Sequence, residues 1–213
     1  MPTLPDRETR TTSGDFEIRS SEDNGVTTMV GYAAKFNTRS QDLGGFVETI
    51  APGAFTRAIE EAHDVRALIN HDASLIIGRT VAGTLRLSQD DTGLRYEVDL
   101  PDTTAGRDLA ESLRRGDISQ SSFGFRVLDA DWSLDTDGRD LRTIRDLALF
   151  DVSPVTYPAY LDTNSGLAQR DLERARARRL ADYRDFRSRQ REIQHAIDAD
   201  RLTILSLTVK GIS

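Results

Sequence analysis

Strict alternation of apolar and polar residues is the first pattern along the chain. Leu94, Tyr96, Val98 and Leu100 are separated by Arg95, Glu97 and Asp99, the spacing of a half-buried strand. Leu85 and Leu87 carry the same period, and residues 88–93 are turn-formers, so residues 80–87 and 94–100 are expected to form a hairpin. Two earlier strands, residues 16–19 and 27–36, flank a turn at 22–25 in which Asn24-Gly25 is a strong hairpin signal. Residues 46–50 form a third strand, and residues 65–71 another that ends at His71. Helical spacing appears at residues 52–61, burying Phe55 and Ile59, and at residues 103–115, with Leu109 and Leu113 on one face. Thr103 and Thr104 form the hydroxyl start of that second helix, and Gly116 is its left-handed stop.

Beyond Gly116, residues 122–127 alternate again. Phe123, Phe125 and Val127 fall on one face, and Ser122, Gly124 and Arg126 on the other. Residues 129–140 are acidic and read as an exposed turn carrying Trp132, the sole tryptophan; residues 142–155 return as one or two strands. The ends differ from this centre. Residues 1–14 have no apolar period and read as a mobile N-terminal arm. Residues 170–191 hold nine arginines against four acids, and Tyr183, Phe186, Ile193 and Ile197 share a face with Gln190, as in an amphipathic helix. Leu205, Leu207 and Val209 alternate like a terminal strand. The organisation expected is an arm at 1–14, one strand-rich domain at 15–165, and a charged helical tail with a strand-like end at 166–213.

Composition narrows the chemistry. A chain that is 38% hydrophobic and 30% charged is ordinary for a soluble globular protein. No run of about eighteen apolar residues marks a membrane span, no secretory leader is legible, and a cytoplasmic setting is the expectation. A net charge of -7 argues against general affinity for nucleic acid, which rests on phosphate neutralisation. The absence of cysteine excludes disulfides, thiolate metal sites and cysteine nucleophiles. No metal or cofactor motif is present, so no cofactor is expected. Histidine-dependent chemistry has three candidates, His63, His71 and His195.

Ser122, on the face opposite two phenylalanines, is either a solvated strand residue or a reacting group, with Ser119 and Ser121 as rival hydroxyls. His71, where a strand meets a loop, is a capping residue or a general base. Asp151 lies between Phe150 and Val152, and a buried carboxylate requires a partner, either an arginine or a histidine. Asp146 is its competitor.

Three blocks carry a resemblance that bears on these alternatives. Gly116-Asp-Ile-Ser-Gln-Ser-Ser-Phe-Gly-Phe125 is similar to the serine motif of the tailed-phage prohead serine proteases, distant relatives of the herpesvirus assembly proteases. Leu68-Ile-Asn-His-Asp72 with Ile77-Gly-Arg-Thr80 resembles their histidine block, Phe150-Asp-Val-Ser-Pro-Val-Thr-Tyr-Pro-Ala159 their acidic block, and Gly53-Ala-Phe55 the stretch before the histidine. The resemblance spans residues 14–165. It implies an antiparallel β-barrel surrounded by a few helices, within an α+β, β-rich class; the C-terminal helical extension comes from the pattern of residues 166–213. It implies a serine endopeptidase in which Ser122 is the nucleophile, His71 the general base and Asp151 the orienting carboxylate. The implied partners are the major capsid protein and its scaffolding region, with possible self-association and self-cleavage and no nucleic acid or membrane. The implied setting is the host cytoplasm, inside the assembling procapsid. The alternative function is a non-catalytic capsid assembly or scaffolding protein with a protease-like domain; a metal-free hydrolase of small esters is a third reading.

Overall fold

The computed structural model of the chain describes residues 7–20, 25–157 and the helix at 165–210, with the side chains of that helix described from 168 to 193. Its first unit is built on two sheets. The strands are β1 (Glu8–Ser13), β2 (Glu17–Ser20), β3 (Thr27–Lys35), β4 (Phe46–Ile50), β5 (Arg66–Ile69), β6 (Asp72–Arg79), β7 (Leu85–Gln89), β8 (Gly93–Asp99), β9 (Gln120–Leu134) and β10 (Asp140–Val155). The helices are α1 (Thr56–Glu60), α2 (Thr104–Arg115) and α3 (Ser165–Lys210).

One sheet runs β1-β9-β10-β5-β6, with β4 also on β10; the other runs β2-β3-β8-β7. At sixteen residues, β10 is long enough to serve two neighbours on the same side. It pairs in parallel with β4 over Asp140–Ile144 and with β5 at Asp151 and Val152, while β9 lies antiparallel along its other edge. The alternation at residues 94–100 is that of β8, whose Leu94, Tyr96 and Val98 are fully buried. They meet Phe123, Phe125, Leu149 and Val152 of the first sheet in one core.

This is an α+β, strand-rich fold with a C-terminal helix. Among the described residues the ladders form two open sheets, so the hydrogen bonding does not draw the closed barrel that the resemblance implies. Register shifts in β10 between Ile144 and Asp151 bend the long strands, and the sheets face each other through side chains.

Several local expectations meet the structure directly. β4 covers residues 46–50, and β7 and β8 form the hairpin. The turn expected at 22–25 falls largely on residues 21–24, outside the described residues; β2 and β3 do pair antiparallel on either side of it. α2 starts at the Thr103 side chain, which accepts a hydrogen bond from Gly106 N, and stops at Gly116, whose φ of 78° is the left-handed conformation that glycine adopts without steric cost.

Other expectations are corrected. Residues 8–13, placed in a mobile arm, are the edge strand β1, because their inward groups are charges that find buried partners instead of apolar ones. Trp132 is within β9, not in an exposed turn, and its ring lies 5.1 Å from that of Phe46; the turn itself is only residues 135–139. Residues 72–79 form β6, where no strand was expected, and residues 80–82 make a 3-10 turn instead of opening the hairpin. Residues 205–209, expected as a strand, continue α3, since a five-residue alternation following a helix finds no ladder to join.

The chain divides into two units, Met1–Ala168 and Gln169–Ser213. The second is the continuation of α3, on which the apolar side chains Leu180, Tyr183, Phe186 and Ile193 are exposed. The Ile197 and His195 side chains lie outside the described residues.

Candidate active site

The register of three strands brings the candidate side chains together. Ser153 of β10 stands opposite Ser122 of β9, and Asp151 stands opposite Gly124. Directly paired residues share a sheet face, and so do residues two apart; Ser122, Gly124, Asp151 and Ser153 therefore line one face. The parallel neighbour β5 runs up beside Asp151 and ends at Ile69, just before the histidine.

His71 is held by its turn. Ile69 pairs with Asp72, leaving Asn70 and His71 as a two-residue loop with φ values of 52° and 59°. Both residues are left-handed, the geometry of a tight hairpin turn and one in which asparagine is tolerated. Asn70 is clasped to the end of β10: its backbone N–H donates to Pro154 O at 3.0 Å. Its side-chain carbonyl accepts from Thr156 N at 2.8 Å, and its amide donates to Thr156 Oγ1 at 3.3 Å. The turn that presents His71 is thus tied to the strand that carries Asp151.

The result is a continuous chain of hydrogen bonds. His71 Nε2 lies 2.6 Å from Ser122 Oγ, and His71 Nδ1 makes a short contact with Asp151 Oδ1. With the imidazole proton on Nδ1, that N–H donates to the carboxylate and Nε2 accepts from the serine hydroxyl. Ser153 Oγ donates to the same Asp151 oxygen at 3.3 Å. Asp151 is 3% exposed and Ser122 and Ser153 are fully buried, so the carboxylate acts in a medium that screens charge poorly.

A fourth group was not foreseen. Arg7, just before β1, donates from Nη2 to Asp151 Oδ2 at 2.5 Å, and the same nitrogen lies 3.1 Å from His71 Nδ1. Both answers to the question of Asp151's partner are therefore present: a histidine on one oxygen and an arginine on the other. Nothing in the pattern of residues 1–14 singled out Arg7. The only available signal was the period of two that sets it on the same side of β1 as Thr9 and Thr11, whose register partners are Gly124 and Ser122.

The rival residues lie elsewhere. Ser121 is on the opposite face of β9, buried, with its hydroxyl 2.8 Å from Tyr96 Oη and 3.3 Å from Ser153 O. Burial pushes the Tyr96 phenol well above the ordinary tyrosine range, so it stays neutral. Ser119 precedes β9, where its carbonyl accepts from Gly14 N at 2.9 Å. Asp146 is paired with Arg57 near the surface. His63 is 3.4 Å from Glu61, and Asp72 accepts from the backbone and hydroxyl of its near neighbour Ser74, which hold its carboxyl below the usual range. Among the described residues no three histidine, aspartate or glutamate side chains are grouped to hold a metal ion.

A strand-rich α+β domain presenting a hydroxyl, an imidazole and a buried carboxylate in series has the furniture of a hydrolase. The model of the caudovirus prohead serine protease family matches residues 14–178, and the chain belongs to that family. It is a protease of phage capsid maturation. The prohead protease of Escherichia phage T5 is 28% identical over 153 residues, covering 71% of this chain and 68% of that protein. Among solved structures, the bacteriophage T4 capsid assembly protease aligns with 11% identity and a TM-score of 0.48 over 70% of this chain and 96% of that one.

Proposed function

We propose that the chain is a serine endopeptidase in which Ser122 is the nucleophile, His71 the general base and then general acid, and Asp151 the carboxylate that orients and charge-stabilises the imidazole. The observation that carries this reading is the series of contacts Ser122 Oγ to His71 Nε2 and His71 Nδ1 to Asp151 Oδ1. Ser122 Oγ attacks the scissile carbonyl carbon as its proton passes to His71 Nε2. The tetrahedral intermediate collapses by breaking the C–N bond, and the departing amine takes the proton from Nε2. Water, deprotonated by the same nitrogen, then attacks the ester; the bond to Ser122 Oγ breaks, the hydroxyl regains its proton from Nε2, and the amino-terminal fragment leaves with its new carboxylate. Asp151 remains ionised throughout and offsets the positive charge that His71 carries between the two proton transfers.

The substrates that family membership supports are scaffold and capsid-protein segments, and the chain itself. The partners are then the major capsid protein and its scaffolding region, and the workplace is the interior of the assembling procapsid in the host. Among the described residues no helix is long and apolar enough to cross a membrane. The protease domain is assigned to residues 15–165, with β1 added to its edge, and residues 166–213 to an extension.

The test is co-production with the capsid precursor, wild type against Ser122→Ala, with intact mass of every product. Trimming that requires Ser122 supports the protease reading, and the masses give the cut sites. Equal trimming by both forms removes Ser122 from the role. Assembly that needs the chain, with no trimming by either form, favours the non-catalytic assembly protein.

A further inference from the structure

We propose that Arg7 is a positioning residue of this active site: its guanidinium holds the Asp151 carboxylate in the orientation that keeps Oδ1 on His71. The proposal rests on the triad reading above and extends the working enzyme to β1, which lies before the region matched by the family, residues 14–178.

Three observations converge on it. A buried carboxylate has two oxygens to satisfy. Asp151 Oδ1 receives His71 Nδ1 and Ser153 Oγ, and Oδ2 receives Arg7 Nη2 at 2.5 Å. The second observation is the space that the pair occupies. A Cβ placed on Gly124 would collide with Asp151 Oδ2 and stand 2.6 Å from Arg7 Nε and 2.8 Å from Nη2. The glycine in the serine motif thus leaves room for the guanidinium and carboxylate above the nucleophile strand.

The third is that the strand bearing Arg7 is pinned from its other face. Six residues of β1, Glu8 to Ser13, pair with Phe125 to Gln120 of β9. Glu8 and Arg10, on the Phe123 and Phe125 side, enter a buried charge network with Glu48 and Arg142. Alternation puts Arg7 on the opposite side, over the triad. The anchor and the positioned group therefore belong to one short strand.

Removing the guanidinium leaves Oδ2 buried without this donor, and the carboxylate can satisfy it only by turning away from His71 or taking a proton. Either displaces the imidazole from Ser122 Oγ. Since Arg7 acts through Asp151, the loss falls on kcat and leaves KM nearly unchanged.

The experiment uses full-length protein and a peptide spanning the mapped cut site. Arg7→Met is expected to lower kcat by roughly 10- to 100-fold, the effect of a small misplacement of reacting groups. Arg7→Lys restores part of it, and guanidinium ion added to Arg7→Ala restores activity that it does not restore to Ser122→Ala. Amide exchange of residues 8–13 reports whether β1 stays paired. Should Arg7→Met loosen β1, rescue by guanidinium decides: no recovery overturns the proposal. Unchanged or raised kcat in Arg7→Met, with Ser122→Ala inactive, overturns the role of Arg7 and leaves the triad standing. Retained activity in Ser122→Ala overturns the triad itself.

Discussion

Ser122 of β9 and Ser153 of β10 face each other across an antiparallel ladder, and this single register places Asp151 opposite Gly124. The carboxylate needs an unfilled neighbour position, and the glycine provides it. Asp151→Asn keeps the shape but loses the charge that stabilises imidazolium, so kcat is expected to fall by roughly 10^4-fold. Asp146→Asn breaks only a pair near the surface with Arg57, of the kind that contributes less than about 1 kcal/mol, and leaves proteolysis unchanged. Steady-state rates on one peptide for both variants check the assignment; equal losses would show that the acidic member is misplaced.

The two adjacent serines have opposite surroundings, since Ser121 points to the core and Ser122 to the imidazole. Ser121→Ala is expected to retain activity while costing about 1 kcal/mol of stability, because Tyr96 Oη loses its buried partner. Tyr96→Phe should cost a similar amount. Chemical denaturation of both variants, alongside labelling of the serine by an active-site phosphonate, separates the roles; loss of labelling in Ser121→Ala would reverse them.

Acid should loosen the N-terminal strand. Burial pushes the Glu8 carboxyl up, but the charges and hydrogen bonds of Arg142 and Arg10 more than offset it, and the net pKa lies below the ordinary 4.5. A carboxyl whose folded pKa is depressed contributes stability that is complete above the unfolded value and is lost as pH falls through the folded value. Protection of the β1 amides is therefore expected to decline below about pH 4.5, with Glu8→Gln removing that part of the dependence. Exchange measured across that range by mass spectrometry tests it, and a decline that persists unchanged in Glu8→Gln would place the titrating group elsewhere.

Removing residues 169–213 should leave a soluble protein with a cooperative thermal transition, since the chain divides at Ala168. A truncated chain that fails to fold would make α3 part of the domain.

Where inward residues are apolar, the pattern of the chain was legible. β8 and the Phe123-Phe125 face of β9 follow from alternation, and α2 from its threonine start and glycine stop. Ser122, His71 and Asp151 were each singled out by a local motif, and the ladders set the three side chains side by side. β1 was missed for a physical reason: its inward residues Glu8 and Arg10 are charged, and their partners Glu48 and Arg142 lie far along the chain. Trp132 was misplaced because the acidic residues around it resemble a turn, although Arg142 stacks over its ring at 5.9 Å and draws it into a strand. Arg7 requires the β1 register before it has any meaning.

The hairpin tip at Asn70 and His71 has a consequence for how this enzyme can vary. Both residues are left-handed, and the reach of the imidazole is set by a turn only two residues long. Most surface connections lengthen at little cost, but here one inserted residue would swing the imidazole off Ser122 and uncouple Asn70 from Thr156. The three exposed residues that follow Asp72, residues 73–75, bulge from the same hairpin outside this constraint. Length variation in this hairpin therefore belongs in the bulge, while the tip keeps its count.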